Sequence, residues 1–148
     1  MLQLDSMPKI FTSETQKVGE IGENVAVKYL LKHGFIVLDR NYTRKWGEID
    51  IVAEKDKKLY FIEVKSATRK LDSLDRVGGP VSQSKNDAYR AEDNMHPWKL
   101  KRLSRTIQTY LLSEKVPEDT EWQLDLLVVY LDMNKHQARV KVLPDIVI

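Results

Sequence analysis

The sequence predicts an α/β protein in which helices pack against a central mixed β-sheet. The principal observation is the order of predicted elements, which runs helix, three strands, helix, two strands and is typical of an α/β sandwich. With 148 residues, 42% hydrophobic and 31% charged, the chain has the size and composition of one globular domain. We expect a flexible tail over residues 1–12 and a single domain over residues 13–148, with a long loop at about 70–96.

The first helix is predicted from about Glu14 to His33. The pattern Ser13-x-x-Gln16 is typical of a helix start, and Gly34 is a natural end after Lys32-His33. Apolar residues between these limits recur at helical spacing: Val18, Val25, Ala26, Tyr29 and Leu30.

Three strands are predicted to follow this helix. Residues 35–38 form an apolar run that indicates a short buried strand. Residues 48–54 and 59–68 are longer runs rich in β-formers, and the polar segment 55–58 between them is short enough for a hairpin.

Residues 70–95 are polar, charged and poor in apolar side chains, which predicts a long loop. Pro97 suits the first turn of a second helix that ends before Pro117. The apolar stripe of that helix consists of Leu100, Leu103, Ile107, Tyr110 and Leu111. Residues 122–131 and 138–143 read as two final strands.

Composition excludes several kinds of chemistry and cellular location. The chain has no cysteine, so it has no thiolate metal site, disulfide or cysteine nucleophile. Its three histidines are far apart in sequence and show no ligand spacing. No apolar run approaches the length of a membrane helix, and residues 1–16 lack the pattern of a signal peptide. We therefore expect a cytoplasmic protein that does not enter the membrane.

Charged side chains interrupt the two predicted hairpin strands. Asp50 lies between two isoleucines, and Glu63 and Lys65 lie in the run Ile-Glu-Val-Lys. If the polar faces coincide across the hairpin, Asp50 and Glu63 approach closely enough to bind one metal ion. Hard oxygen ligands suit Mg²⁺ (or Mn²⁺), and Lys65 would then lie beside a water held at the metal. The alternative is a surface hairpin whose charges face water.

Other charged residues leave similar alternatives open. Glu23 on the first helix is either a solvent-facing acid or an additional contact to the metal site. Asp125 interrupts an apolar run and lies at a strand start or in a polar pocket. A run without acids is either a solvated helix face or a surface for DNA phosphates; it contains Lys99, Lys101, Arg102 and Arg105.

Several of these motifs together resemble the bacterial YraN-like family. The matching residues are Gly22-Glu23-x-x-Ala26-x-x-Tyr29-Leu30, Gly47-Glu48-Ile49-Asp50, Glu63-Val64-Lys65, Lys99 with Leu103 and Tyr110-Leu111, and Trp122-x-x-Asp125-x-x-x-Val129. The resemblance extends over roughly residues 18–143. The family is placed in the PD-(D/E)XK nuclease superfamily, related to archaeal Holliday-junction resolvases.

This resemblance implies a restriction-endonuclease-like fold and a metal-dependent endonuclease. Asp50 and Glu63 would be metal ligands, Lys65 the catalytic lysine and Glu23 an assisting acid. The implied partner is duplex or branched DNA, and a homodimer is expected by analogy with the resolvases. Two features depart from the family pattern: the acidic segment 70–95 and Trp46.

Two further readings compete with an endonuclease. One is a nucleic-acid-binding module whose site is present but idle, which predicts salt-sensitive binding without cleavage. The other is a protein-interaction domain, which the acidic segment 70–95 favours.

Overall fold

A computed structural model describes residues 2–3, 14–71 and 95–148 of the chain. Within that part of the chain the principal elements are β1 (Leu2–Gln3), α1 (Glu14–Lys32), β2 (Ile36–Arg44), β3 (Gly47–Lys55), β4 (Lys58–Thr68), α2 (Pro97–Ser113), β5 (Trp122–Asp132) and β6 (Gln137–Leu143). The predicted helices and the last two strands are thereby confirmed to within a few residues.

The strands form one six-stranded mixed sheet in the order β1-β6-β5-β4-β3-β2. Strands β4 and β5 are parallel, and every other neighbouring pair is antiparallel. The chain connects the parallel pair through α2, as a parallel crossover requires. The predicted α/β class with a central mixed sheet is confirmed.

Each face of the sheet carries one helix and one hydrophobic cluster. The α1 cluster is formed by one stripe of that helix and the facing strand residues, among them Ile21, Val25, Leu30, Ile51, Ile62 and Leu127. The α2 cluster is formed in the same way, among others by Ile49, Val52, Phe61, Leu103, Ile107 and Tyr110. Because β4 and β5 are covered on both faces, β5 is buried from Leu124 to Asp132.

Strand β2 differs from its prediction as a short buried strand. It extends from Ile36 to Arg44 at the edge of the sheet, and the side chains of Ile36 and Leu38 are 61% and 42% exposed. Its polar second half remains a strand because pairing with β3 satisfies its backbone groups as far as Arg44.

The predicted hairpin of β3 and β4 is confirmed. Its turn consists of Asp56 and Lys57, and both have positive φ angles, 51° and 66°. Two successive residues with positive φ match the right-handed twist of the strands that they join. The hairpin is therefore closed tightly at the end opposite Asp50 and Glu63.

The predicted N-terminal tail and long loop are described only in part. Leu2 and Gln3 pair with β6, which makes two residues of the predicted tail an edge strand. Leu71 and Met95 are buried against the α2 cluster, so both ends of the predicted loop are anchored in the core. Residues 4–13 and 72–94 lie outside the described part, including the acids of the predicted interaction segment.

No helix among the described residues is both long enough and apolar enough to cross a lipid bilayer.

Candidate active site

The candidate site begins where the pairing of β3 and β4 ends. The last paired residues at this end are Ile51 and Ile62, and Asp50 and Glu63 are the next position on each strand. Asp50 Oδ2 accepts a hydrogen bond of 2.8 Å from the backbone N–H of Val64. The carboxylate of Asp50 thus binds the backbone of β4 at the point where the strand ladder stops.

Strand β3 also turns over at this position. Ile49 packs in the α2 cluster and Ile51 in the α1 cluster, although residues two apart in a regular strand share one face. The neighbouring strand contains Asn41 with a φ of 52°, a left-handed conformation that changes the direction of the chain. The regular alternation of side chains between the two faces of the sheet is therefore broken at Asp50, next to the left-handed Asn41.

Asp50 is half-buried and surrounded by other acids. Burial raises its pKa first, and the negative charges of Glu63, Glu23 and Glu48 raise it further. The hydrogen bond from Val64 acts in the opposite direction, and the resulting pKa is about 8. A raised carboxyl pKa of this kind shows that negative charge is incompletely compensated at this point.

Glu23 reaches this region because α1 lies very close to β4. A Cβ atom on Gly22 would overlap Ser66 Oγ and lie 2.8 Å from Ser66 Cβ, so only glycine permits this approach. Glu23 Oε1 accepts hydrogen bonds of 3.0 Å from both Arg40 Nη2 and Asn41 Nδ2. Glu23, the assisting acid expected on the first helix, therefore lies near Asp50, and its side chain is fixed by hydrogen bonds from β2.

Lys65, Asp50 and Glu23 line the same open cleft between α1 and the edge of β4. The cleft has a volume of about 590 Å³, and its remaining walls come from the first turns of α1 and from residues 64–68 of β4. Lys65 is exposed at this cleft. Three of the four predicted catalytic residues thus meet at one surface depression.

Glu63 lines a second cleft, of about 350 Å³, on the side of α2. Its Oε2 atom lies 2.8 Å from Lys99 Nζ, and the Glu63 side chain is only 13% exposed. Glu63 still raises the pKa of Asp50, so the two acids are electrostatically close although they line different clefts. Lys99, predicted as a DNA contact, forms an ion pair with a predicted metal ligand.

The other predicted DNA-binding residues lie along α2. Arg102 stacks on Trp98 at 4.3 Å, and Arg105 stacks on the ring of Trp46 at 4.2 Å. Lys101 is exposed on the same helix. Thus Trp46, which departs from the family pattern, supports an arginine.

Sequence reasoning missed two cationic residues in the second cleft, Arg44 and Lys45. Arg44 stacks on Tyr42 at 3.9 Å. The end of β2 and the turn after it lie close to α2, because Gly47 has no side chain. A Cβ at this position would lie 2.8 Å from Thr106 Oγ1. The basic pair directly before Trp46-Gly47 was the signal that could have revealed them.

The donor set suits a hard divalent cation better than a transition metal. Asp50, Glu63, Glu23 and Glu48 offer only carboxylate oxygens, and the charges of the last three add to burial in raising the pKa of Asp50. Across residues 14–71 and 95–148, no three His, Asp or Glu side chains are close enough to surround a metal ion. Asp50 and Glu63 would therefore supply two ligands, and waters would have to complete the shell, as Mg²⁺ commonly allows.

Two buried acids outside the clefts have structural contacts. Asp125 Oδ1 accepts hydrogen bonds from Gln123 Nε2 at 2.7 Å and from the N–H of Asp145 at 2.9 Å. Asp132 accepts from the N–H groups of Lys135 and Leu71, and the first of these contacts lowers its pKa most. Asp125 thus anchors the chain after β6, and Asp132 holds the β5–β6 turn.

Comparison with known proteins places these motifs in a family. The model of the uncharacterised protein family UPF0102 matches residues 22–129, from Gly22 through the middle of β5. The chain belongs to the UPF0102 family. The resemblance to YraN-like proteins is thereby confirmed, since that family is the same one.

Similar UPF0102 proteins occur in Campylobacter and Sulfurovum. The protein of Campylobacter fetus is 35% identical over 108 residues, which covers 73% of this chain and 79% of that protein. The protein of Campylobacter lari is 38% identical over 111 residues, covering 75% and 81%. The protein of a Sulfurovum strain is 36% identical over 124 residues, covering 83% and 86%.

Among solved structures, the SfsA protein of Pyrococcus furiosus in complex with Ca²⁺ shows a distant likeness. The match covers 86% of this chain and 63% of SfsA, with 14% sequence identity and a TM-score of 0.33.

Proposed function

We propose that this UPF0102 protein is a Mg²⁺-dependent endonuclease that hydrolyses phosphodiester bonds in DNA. The observation that carries the proposal is the position of Asp50, bonded to the β4 backbone amid the charges of Glu63, Glu23 and Glu48. An ionised carboxylate in such surroundings lowers the stability of the fold. Carboxylates with a pKa perturbed in this way are common at sites that bind a ligand or catalyse a reaction. A divalent cation is the ligand that would balance this charge, and it could at the same time bind a phosphate of DNA.

The residues divide into three roles. Asp50 and Glu63 would hold Mg²⁺ (or Mn²⁺), which supplies Lewis-acid stabilisation of the phosphate and a more acidic water. Lys65 would orient that water and stabilise the charge that develops on the phosphate oxygens. Glu23, fixed by Arg40 and Asn41, would accept a hydrogen bond from the water or from its shell.

The proposed DNA path runs along α2 and the β2–β3 turn. Arg102 and Arg105 are exposed beside the second cleft, and Lys101 is exposed on the same helix. Such side chains would bind backbone phosphates regardless of sequence and make binding sensitive to salt. Lys99 would join them once metal binding releases it from Glu63.

A cleavage assay on duplex, flap and four-way-junction oligonucleotides with Mg²⁺ or Mn²⁺ tests this function. Asp50→Asn should abolish cleavage while retaining the fold, because an amide oxygen can still accept the hydrogen bond from Val64. Asp119→Asn, an exposed acid elsewhere, should cleave like the wild type. Activity that survives Asp50→Asn would refute the proposal.

A second candidate is a DNA-binding module with an idle site. The Glu63–Lys99 ion pair favours it, because in this state one proposed metal ligand is already neutralised. The module would bind DNA with a steep salt dependence, and added Mg²⁺ would produce no cleavage of any substrate. The protein-interaction alternative depends on the acids of segment 70–95, all of which lie outside the described residues.

The proposal extends to a homodimer, since cutting both strands of a junction symmetrically needs two sites. Light scattering with and without a junction oligonucleotide would measure the oligomeric state. A complex containing a single protomer per junction would exclude symmetric cutting.

A further inference from the structure

Three arginines around the second cleft each place the guanidinium carbon over an aromatic ring. Arg44 lies on Tyr42, Arg105 on Trp46 and Arg102 on Trp98, at 3.9, 4.2 and 4.3 Å from the ring centres. We call these three pairs the arginine–aromatic row. All three arginines are exposed, so the stacking fixes each guanidinium without hiding its donors.

The members of the row differ in the exposure of the ring. Tyr42 is buried and Trp46 is partly buried, so these two rings serve as supports. Trp98, in the first turn of α2, differs from these two rings because it is 56% exposed. Its exposed surface is therefore available to a ligand.

Neighbouring groups fix the orientation of Trp98. The ring of His96 meets it edge-on at 5.8 Å between centroids. His96 is itself held there because its Nδ1 accepts a hydrogen bond of 3.4 Å from the backbone N–H of Trp98. Arg102, one turn further along α2, covers part of the ring. An aromatic plane held in this way loses little conformational entropy when a second flat group stacks on it.

The charge beside Trp98 restricts the kind of ligand. The second cleft is lined by four cationic side chains, Arg44, Lys45, Lys99 and Arg102, and by two acids, of which Glu63 is paired with Lys99. A flat aromatic plane next to fixed cations matches a nucleotide, which carries a stacking base and a phosphate. Base pairs in a regular duplex are stacked on each other and offer no free face to a side chain.

We propose that Trp98 and the arginine–aromatic row bind unpaired nucleotides of DNA, so that the substrates of this site contain a single-stranded segment. The base would stack on Trp98 while Arg102, Arg105 and Arg44 hold successive phosphates that lead towards Glu63. This inference rests on the proposed function, for which it names the substrate class.

Binding without metal tests the inference separately from cleavage. Fluorescence anisotropy in EDTA would compare a labelled oligo-dT of about 20 nucleotides with a duplex of the same length. The wild type should bind the single strand more tightly than the duplex. Trp98→Ala should weaken single-strand binding by about five- to 100-fold, the range expected for loss of one stacked base.

Two variants separate stacking from general effects. Trp98→Phe retains an aromatic plane and should restore most of the affinity. Leu112→Ala removes an exposed apolar side chain from the far end of the same helix and should bind like the wild type. Thermal unfolding of each variant confirms that binding is measured on folded protein.

A spectroscopic signal identifies the contact itself. An oligonucleotide with 2-aminopurine should show a change in fluorescence with the wild type and with Trp98→Phe, and a smaller change with Trp98→Ala. Equal affinity for duplex and single strand, or single-strand affinity unchanged by Trp98→Ala, would overturn the inference. Tighter binding to oligo-rU than to oligo-dT would overturn its assignment to DNA.

The two proposals fail in different ways. If cleavage is absent but oligo-dT binding depends on Trp98, the inference stands and the endonuclease proposal falls. If a plain duplex is cleaved efficiently and Trp98→Ala changes neither cleavage nor binding, the endonuclease proposal stands and the inference falls.

Discussion

Lys99 Nζ and Glu63 Oε2 lie 2.8 Å apart, so an ammonium group occupies one side of a proposed metal ligand. Asp50 remains near Glu63 and has a pKa of about 8. The ion pair neutralises one acid and leaves the repulsion around the other. A cation that binds both acids would compete with Lys99 for the charge of Glu63.

Replacement of Lys99 should therefore strengthen metal binding. Lys99→Met removes the competing charge, and we expect the affinity for Mg²⁺ or Mn²⁺ to rise by about two- to fivefold, as for loss of a partly exposed ion pair. Calorimetric titration measures this change. Lys101→Met, an exposed neighbour on the same helix, is the control and should leave the affinity unchanged. Weaker binding by Lys99→Met would mean that Lys99 does not compete with the metal.

The raised pKa of Asp50 predicts how stability varies with pH in metal-free protein. The ordinary pKa is 3.8, so the folded protein keeps a proton that the unfolded chain loses at lower pH. The ionisation of Asp50 hence opposes folding increasingly as pH rises from about 4 to about 8 and adds no further cost above that. Asp50→Asn removes this cost and should raise the free energy of unfolding at pH 8 by about 1–3 kcal/mol.

Urea unfolding in EDTA at several pH values checks this prediction. The gain of Asp50→Asn over the wild type should be small at pH 4 and should grow towards pH 8. Asp119→Asn, an exposed acid, should show no such trend. An Asp50→Asn protein that is less stable than the wild type at pH 8 would show that Asp50 is needed as a charged structural residue.

The contact between Gly22 and Ser66 predicts a specific steric defect. Gly22→Ala places a methyl group within 2.8 Å of Ser66 Cβ, so α1 must move away from β4 and take Glu23 with it. We expect a loss of about 1–3 kcal/mol in the free energy of unfolding, as in other overpacked sites. Gly19→Ala, on the same helix with nothing within 4 Å, should instead stabilise by about 0.5–1 kcal/mol.

A compensating variant distinguishes the steric cause. Gly22→Ala combined with Ser66→Gly removes the overlap and should recover much of the lost stability. If the double variant is no more stable than Gly22→Ala alone, the defect lies elsewhere than in this contact.

Asp125 should contribute to stability without taking part in the site. Its carboxylate accepts hydrogen bonds from Gln123 and from the backbone of Asp145, so Asp125→Ala removes two partly buried hydrogen bonds. The expected loss is about 1–3 kcal/mol, measured by urea unfolding. Metal affinity, measured by calorimetry on the folded variant, should be unchanged. A stable Asp125→Ala protein that no longer binds metal would place Asp125 in the site.

Much of the fold could be predicted because its local signals agree with its packing. Helix α1 extends from Glu14 to Lys32, in agreement with the limits predicted from Ser13-x-x-Gln16 and Gly34, and Pro97 opens α2. Strand β2 was predicted too short because its second half is polar, and its edge position could not be read from a single segment.

The candidate site residues were proposed from charged residues inside strands, but part of their geometry could not be predicted. Alternation of faces predicted that Glu63 and Lys65 lie on one side of β4. The core contacts of β4 do alternate, with Phe61 and Ala67 in the α2 cluster and Ile62 and Val64 in the α1 cluster, although Glu63 and Lys65 line different clefts. The irregularity that the sequence did not reveal lies at Asp50 on β3: Ile49 and Ile51 pack on opposite faces of the sheet, beside Asn41 of β2 with its left-handed φ. The Lys99–Glu63 ion pair and the contact of Arg105 with the Trp46 ring join segments that are distant in sequence. Local sequence patterns therefore could not predict them.

The central claim is that Asp50 and Glu63 together bind a divalent cation, and calorimetric titration of Mg²⁺ or Mn²⁺ tests it most directly. We predict saturable binding to the wild type, stronger at pH 8 than at pH 6 because Asp50 must lose a proton. The Asp50→Asn/Glu63→Gln protein, still folded, should show no such binding. Absence of binding to the wild type at pH 8, or equal binding by the double variant, would contradict the account.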